Sequence, residues 1–158
     1  MTATACPSGN ILIVDDQAVN RRLLTALLVG QGHHVVQAET VAAALSELRR
    51  APFDVVLLDI VMPDVDGYAA LDQIRADPAL HDLPVVMVSG HHDLESEVLA
   101  IERGADAYLT KPVRATLLHA RVNACVERSR ARCRERELVA ELTREHQRAE
   151  TLLHHILP

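Results

Sequence analysis

Aromatic side chains, cysteines and long apolar runs are scarce in this chain of 158 residues, and each shortage excludes a class of protein. The chain has no tryptophan, one phenylalanine and two tyrosines, which are too few for the stacking platforms that bind single-stranded nucleic acid. Its three cysteines are widely spaced and form no compact metal motif, so we expect reduced thiols in a reducing compartment. No apolar run approaches the roughly 18 residues of a membrane span, and the first residues lack a signal-peptide pattern. The sequence therefore predicts a soluble, cytoplasmic protein without membrane contact.

Charge is divided unevenly along the chain. The formal net charge is −6, which argues against a general binder of polyanions. Residues 1–118 hold 16 acidic and 8 basic residues, whereas residues 119–158 hold 6 acidic and 8 basic residues. In that second part the charges alternate in sign and no helix-turn-helix follows, so we do not expect it to bind nucleic acid. The length suits one domain, and the change in composition places an organisational boundary near residue 119.

Short apolar runs alternate with longer stretches of helical spacing, five times in succession. The runs are apolar on both faces, which is typical of strands buried in a parallel sheet. This order predicts a parallel sheet with helices on both faces, and ligands bind at the carboxyl ends of the strands in such sheets. The predicted strands are 11–14, 33–38, 55–58, 85–88 and 107–110, and the predicted helices are 18–29, 40–50, 67–76, 93–103 and 113–126.

Polar residues follow four of the predicted strands. Asp15 and Asp16 follow the first strand, Asp59 the third, Ser89 the fourth and Lys111 the fifth. Each pair of carboxylates 4 Å apart repels by about 4 kcal/mol at an effective dielectric near 20, so a proton or a cation must relieve the repulsion. Mg²⁺ prefers such oxygen ligands, and the chain's one lysine supplies a compact positive charge. Carboxylate, Mg²⁺ and ammonium together are suited to phosphoryl transfer.

Four segments of the sequence carry a resemblance to a known family. They are ILIVDDQAVNR at 11–21, VVLLDIVMPDVDGYAAL at 55–71, PVVMVSG at 84–90 and GADAYLTKPV at 104–113. In this order and spacing they resemble the receiver domain of two-component response regulators over about residues 10–125. The resemblance implies a flavodoxin-like α/β fold, a doubly wound five-stranded parallel sheet. We expect a disordered N-terminus at 1–9 and a receiver domain at 10–126.

The resemblance also implies a role for each residue at the strand ends. Asp59 would be the phosphoacceptor. Asp15, Asp16, Asp59 and the backbone carbonyl of Val61 would bind Mg²⁺, and Lys111 would contact the phosphoryl group. The remaining implied residues act by switching or by shaping loops: Ser89 and Tyr108 as the switch pair, Pro112 after a cis peptide bond, and Pro63 and Gly67 in the loop after Asp59.

On this interpretation a sensor histidine kinase is the partner, and the domain catalyses only its own phosphorylation and dephosphorylation. Two alternatives remain open. A Mg²⁺-dependent phosphatase of the haloacid-dehalogenase type expects an acid two residues after the nucleophile, where this chain has Val61. A phosphorylation-independent scaffold would not need the full set of site residues.

The helical pattern continues past the receiver, and residues 127–158 are predicted to be a helical coiled-coil linker. Positions 138, 142, 145, 149, 152 and 156 follow alternating steps of four and three. Residues 127–137 are nearly all charged and are predicted to form a solvated helix. Residues 121–158 as one helix would span about 57 Å and could not bury a face against a compact domain, so this helix must be solvated, disordered or paired. The expected homodimer uses the fourth helix–fifth strand–fifth helix face and the C-terminal helix.

The final residues suggest an effector. LLHHILP at 152–158 resembles the linker that enters class III nucleotidyl cyclase domains or serine phosphatase domains, so a downstream effector domain is expected, with a short native regulator as the alternative. The adjacent histidines at 33–34, 91–92 and 154–155 are interpreted as surface or loop residues, because neighbouring side chains point in different directions and rarely chelate one ion.

Overall fold

The computed structural model describes residues 8–63 and 65–156, with Ile156 described by its backbone alone. Strands and helices alternate strictly, which confirms the predicted order. The ten elements are β1 (Asn10–Val14), α1 (Ala18–Val29), β2 (His34–Ala38), α2 (Val41–Arg50), β3 (Val55–Asp59), α3 (Gly67–Ala76), β4 (Val85–Ser89), α4 (Leu94–Glu102), β5 (Ala107–Thr110) and α5 (Ala115–Ile156).

The five strands form one parallel sheet in the order β2-β1-β3-β4-β5. The chain starts near the middle, winds first towards β2 and then returns to build the other side. The predicted flavodoxin-like fold is confirmed. The strand order reverses direction between β1 and β3, and doubly wound sheets bind ligands at that point.

The core has one layer on each face of the sheet. Alternate residues of β1 show the division: Leu12 and Val14 face α2 and α3, whereas Ile11 and Ile13 face α1 and α5. β3 and β4 are buried along their whole length, which explains why their sequences are continuous apolar runs. β2 is an edge strand with a mostly exposed surface, so its sequence pattern is weaker.

α5 runs for 42 residues, about 63 Å at 1.5 Å per residue. Its first turns bury Leu118, Val122, Cys125 and Val126 against the sheet. None of the described helices combines the length and the apolar content needed to cross a membrane. Pro158 lies outside the described residues.

Residues 127–137 form a largely exposed helix, as predicted, but they also make polar contacts with the domain that the sequence did not predict. Asp54, Asp82 and Asp106 precede β3, β4 and β5 at the edge where the strands begin, here called the amino edge. Each accepts hydrogen bonds from α5. Arg128 Nη1 lies 3.0 Å from Asp106 Oδ1, and Arg130 Nε lies 3.3 Å from Asp54 Oδ1.

Three further contacts come from the same stretch of α5, residues 128–136. Ser129 Oγ donates to Asp54 Oδ1 at 3.0 Å, Arg132 donates to the carbonyl of Asp82, and Arg136 pairs with the Asp82 carboxylate. Four arginines of the charged run therefore hold α5 on the amino edge, because each meets a carboxylate or a carbonyl there: Arg128, Arg130, Arg132 and Arg136.

Two described residues, Ser8 and Gly9, belong to the segment predicted to be disordered, and both make contacts with the domain. Residues 1–7 lie outside the described residues, but Ser8 Oγ donates to the carbonyl of Gly32 at 2.7 Å. The Gly9 N–H donates to His33 Nδ1 at 3.0 Å, and a Cβ on Gly9 would lie 2.6 Å from Cγ2 of Val126. These contacts tie the start of β1 to α5.

His33 lies in the loop before β2, which agrees with its interpretation as a surface or loop residue, but its side chain is buried. Its Nδ1 accepts from Gly9, and its Nε2 lies 3.2 Å from Asn123 Oδ1. Burial lowers the pKa of His33, against the opposing effect of the Asn123 hydrogen bond. The neutral ring with the proton on Nε2 satisfies both partners.

Candidate functional site

Three aspartates meet at the carboxyl ends of β1 and β3. Asp15 and Asp16 follow β1, and Asp59 is the last residue of β3. β1 and β3 are parallel neighbours with Val14 opposite Leu58, so the residues that end the strands lie side by side. One carboxylate oxygen from each aspartate lies within 4.8 Å of the others. In the part of the chain that the structure describes, this is the one group of three or more such side chains close enough to hold a metal ion.

Lys111 brings one positive charge to the three carboxylates. It follows Thr110, the last residue of β5, and its backbone N–H donates to the carbonyl of Ser89 at 2.7 Å. Its Nζ lies 3.2 Å from Asp15 Oδ2 and 3.3 Å from Asp59 Oδ1. The peptide bond from Lys111 to Pro112 is cis. One ammonium leaves the cluster with an excess of negative charge, and an oxygen-only set of this kind fits Mg²⁺.

The carboxyl group of Asp59 is buried at the end of β3. It is 5% exposed, and burial raises its pKa. The ammonium of Lys111 opposes that effect, and the negative charge of Asp15 adds to it. A divalent cation in the cluster would favour the ionised carboxylate, which is the nucleophilic form.

Ser89 and Tyr108 reach the same backbone segment from neighbouring strands. Ser89 ends β4, is fully buried, and its Oγ accepts from the N–H of His91 at 3.0 Å. Tyr108 lies on β5, is half-buried, and its hydroxyl donates to the carbonyl of His91 at 2.9 Å. The two side chains thus hold one residue, His91, at its two backbone polar groups.

The loop after Asp59 is shaped by close backbone approach. Gly67 donates its N–H to the carbonyl of Ile60 at 2.8 Å, and a Cβ at this position would lie 2.3 Å from the carbonyl oxygen of Asp59. Only glycine fits there. Val61 is exposed, and its backbone favours the ionised form of Asp59, which lowers the pKa of that carboxyl group against the larger effect of burial. Pro63 lies in this loop, and its neighbour Asp64 lies outside the described residues.

Sequence reasoning missed two residues near the site. Asp66 caps α3 by accepting the N–H of Ala69 at 2.7 Å. Arg21 is 7% exposed, and its Nη1 donates to the carbonyl of Asp15 at 2.7 Å. A signal for Arg21 was present, because it shares the apolar side of α1 with Leu24 and Leu28, where a charged residue is unusual.

The geometry agrees with comparisons to known proteins. The family model described as "Response regulator receiver domain" matches residues 11–123. The chain belongs to the response regulator receiver family. As a receiver domain it functions in two-component signalling, and the haloacid-dehalogenase alternative is not favoured.

Individual relatives show the same receiver domain. Protein PilH of Pseudomonas aeruginosa is 39% identical over 116 residues, which are 73% of this chain and 96% of PilH. Response regulator PleD of Caulobacter vibrioides is 35% identical over 117 residues, 74% of this chain and 26% of PleD. The structure of the Francisella response regulator 1452 receiver domain superposes with a TM-score of 0.73 at 26% identity, covering 77% of this chain and 99% of that one.

The receiver domain is a small part of many of these relatives. The chain spans 46%, 27% and 26% of the length of the first three distinct curated relatives that it matches.

Proposed function

We propose that this receiver domain accepts a phosphoryl group from the phosphohistidine of a sensor histidine kinase, and that Asp59 is the acceptor. One observation carries the proposal: the buried Asp59 carboxylate lies beside two further aspartates and 3.3 Å from the Lys111 ammonium. This arrangement surrounds one nucleophilic oxygen with the charges that phosphoryl transfer requires.

The transfer is a displacement at phosphorus. An oxygen of the Asp59 carboxylate attacks in line with the leaving nitrogen, so a P–O bond forms as the P–N bond breaks. The electron pair of the broken bond remains on the imidazole nitrogen, which takes up a proton from water. Lys111 contacts a phosphoryl oxygen throughout and offsets its negative charge.

Asp15, Asp16, Asp59 and the backbone carbonyl of Val61 would hold Mg²⁺. When bound, the ion neutralises charge on the aspartates and on the incoming phosphoryl group. The chain's own contribution is to fix the carboxylates in place before the phosphoryl group arrives. The domain acts on itself and on no separate substrate. We place it in the cytoplasm, where its three cysteines would stay reduced.

Ser89 and Tyr108 are proposed to report phosphorylation. A Ser89 hydroxyl that turns towards phosphorylated Asp59 gives up the N–H of His91, which it accepts at 3.0 Å in this structure. The carbonyl of the same His91 holds the Tyr108 hydroxyl. Loss of the first contact therefore loosens the second, and a pre-existing equilibrium between two conformations shifts.

The output is proposed to be homodimerisation that includes α5. Each residue of a helix is rotated by about 100° from the one before, so Leu138, Leu142 and Leu152 lie about 160–240° around α5 from Arg136. This apolar stripe thus faces away from the side that Arg136 holds on the domain. All three leucines are exposed. A second copy can pair along the stripe while the arginine contacts persist.

A second exposed apolar area lies on the receiver itself. Leu94, Val98 and Ile101 of α4 and Leu117 of α5 are exposed around β5. We propose that this fourth helix–fifth strand–fifth helix face joins the dimer, and that α5 passes the change to a downstream effector domain. PleD and the other longer relatives carry additional sequence beyond their receivers, which supports an effector.

Intact mass measured after incubation with Mg²⁺ and acetyl phosphate tests the acceptor. We expect the mass of one phosphoryl group on the wild-type chain, none on Asp59→Asn, and a full gain on Asp72→Asn, an exposed aspartate on α3. A gain that persists in Asp59→Asn would move the acceptor elsewhere. No gain on a folded, Mg²⁺-binding wild-type chain would favour the scaffold that acts without phosphorylation.

A further inference from the structure

We propose that Arg21 is a positioning residue that fixes Asp15, and with it the β1–α1 turn, for divalent cation binding. The inference rests on the proposed function, since it concerns how the same aspartate cluster is held. It begins with Asp15, which is 2% exposed.

Every polar group of Asp15 has a partner. Its N–H donates to the carbonyl of Ala38 at 3.2 Å, and its own carbonyl accepts from Arg21 Nη1 at 2.7 Å. Its Oδ1 accepts the N–H of Gln17 at 2.8 Å, and its Oδ2 accepts from Lys111 at 3.2 Å. The backbone of Asp15 is thus held on one side by β2 and on the other by a single side chain, Arg21.

Burying the guanidinium of Arg21 costs free energy, which indicates that this side chain has a function beyond packing. Its side chain is 8% exposed and occupies the apolar side of α1 with Leu24 and Leu28. An apolar residue at this position would stabilise the packing of α1 more than arginine does, because a buried guanidinium loses its hydration. The charged guanidinium of Arg21 is buried where it contacts the backbone carbonyl of Asp15, a proposed metal ligand.

The geometry requires arginine rather than lysine. While Nη1 holds the Asp15 carbonyl, Nη2 donates to Glu39 Oε1 at 3.1 Å. Glu39 follows β2, so one planar group fastens the turn after β1 to the residue after the neighbouring strand. A lysine ammonium has no rigid fork to satisfy both partners at these positions.

Loss of the Arg21 side chain is expected to lower the affinity of the aspartate cluster for Mg²⁺. Without Arg21 the Asp15 carbonyl loses its partner, and the turn that carries Asp15 and Asp16 gains freedom. Residues that orient metal ligands typically contribute 10–100-fold to metal affinity. We expect Arg21→Gln to weaken Mg²⁺ binding about tenfold or more, and saturating Mg²⁺ to restore most phosphorylation.

The test is calorimetric titration of Mg²⁺ into the full chain, with thermal unfolding measured in parallel. Arg22→Gln is the matched control, because Arg22 is the exposed neighbour on the same helix. We expect wild-type affinity for Arg22→Gln, a large loss for Arg21→Gln, a partial loss for Arg21→Lys and a smaller loss for Glu39→Gln.

A general structural effect is distinguished with Leu24→Ala, which loosens the same face of α1 without touching Asp15. The proposal is overturned if Arg21→Gln binds Mg²⁺ as tightly as wild type, or if Leu24→Ala loses affinity to the same degree at equal loss of stability. Should Arg21→Gln fail to fold, the comparison is made between Arg21→Lys and Leu24→Ala. If the wild-type chain takes up no phosphoryl group but Arg21→Gln still weakens Mg²⁺ binding, the proposed function fails and the positioning role stands.

Discussion

Asp59 is held in a site that opposes its own ionisation. Burial raises the pKa of Asp59, the Lys111 ammonium lowers it, and Asp15 raises it again. A carboxyl group whose folded pKa lies above its unfolded value stabilises the fold below the unfolded value, and that contribution is lost as the pH rises through the folded value. At neutral pH without a divalent cation, the ionised Asp59 therefore costs stability.

Replacing Asp59 with asparagine is expected to raise the melting temperature at pH 7 in the presence of a chelator. The neutral amide removes a buried charge and its repulsion with Asp15, and each kcal/mol gained corresponds to about 2–4 °C in a chain of this size. Mg²⁺ should stabilise the wild type more than the variant, and so reduce the difference between their melting temperatures. Thermal unfolding with and without Mg²⁺ measures it, and a variant less stable than wild type under chelation would contradict the argument.

Gly67 sets the second residue-scale constraint. A Cβ there would lie 2.3 Å from the carbonyl oxygen of Asp59 and 2.7 Å from Cα of Ile60. Because both atoms belong to the backbone, the loop after β3 must move. We expect Gly67→Ala to cost about 1–3 kcal/mol and to slow phosphorylation, whereas Gly90→Ala, with nothing within 4 Å of its added methyl, should cost far less. Urea unfolding of both variants decides, and equal losses would remove the special role of Gly67.

Residues at the strand ends could be predicted, because the apolar runs show where each strand stops and parallel strands end at one edge. Asp15, Asp59 and Lys111 therefore meet as expected. Arg21 could not be placed in the same way, since its partner is a backbone carbonyl that sequence patterns do not describe. His33 was missed for a similar reason, because its partners Gly9 and Asn123 are distant in the chain.

At the scale of the element, two successive segments of α5 are held on the domain by different interactions. Its first turns bury apolar side chains, and its next turns are held by paired charges at the amino edge. The acids that pair with these arginines are separated from them by 22–76 positions. The sequence of residues 127–137 therefore predicts a solvated helix, although in the structure its arginines bind this segment to the amino edge.

Removing the arginine contacts should release this part of α5. We expect the triple change Arg128→Gln, Arg130→Gln and Arg132→Gln to cost about 1–3 kcal/mol in all, the sum of two modest ion pairs and one hydrogen bond to a backbone carbonyl. Amide hydrogen exchange should increase at 127–137 and remain unchanged in β3 and β4. Wild type should approach the variant at high salt, because screening weakens the same pairs.

The matched control for that change uses the far end of the helix. Arg144 and Arg148 are exposed, so the double change to glutamine alters charge without touching Asp54, Asp82 or Asp106. Faster exchange at 127–137 in this control would mean that overall charge, rather than the three contacts, governs the order of the segment.

At the scale of the whole molecule, the aspartate cluster and the proposed dimer stripe lie towards opposite ends. The cluster occupies the edge where the strands end, whereas α5 passes the amino edge before its exposed leucines begin. A phosphorylation signal must therefore cross the domain to reach the stripe. Arg128, Arg130 and Arg136 pair α5 with the aspartates that precede β5, β3 and β4, and we propose that a change in the sheet reaches the helix through these contacts.

The stripe on α5 makes a specific prediction about self-association. Leu142 lies in the stripe opposite Arg136, whereas Val139 is similarly exposed but lies to one side of it. We expect Leu142→Glu to weaken the dimer at least tenfold in sedimentation equilibrium, because a carboxylate would be buried at the seam. Val139→Glu should change the dissociation constant little. Phosphorylation should strengthen association of the wild type and not rescue Leu142→Glu. Equal effects of the two substitutions would show that the two copies meet through another surface. A wild-type chain that is monomeric both with and without phosphorylation would contradict the proposed dimer itself.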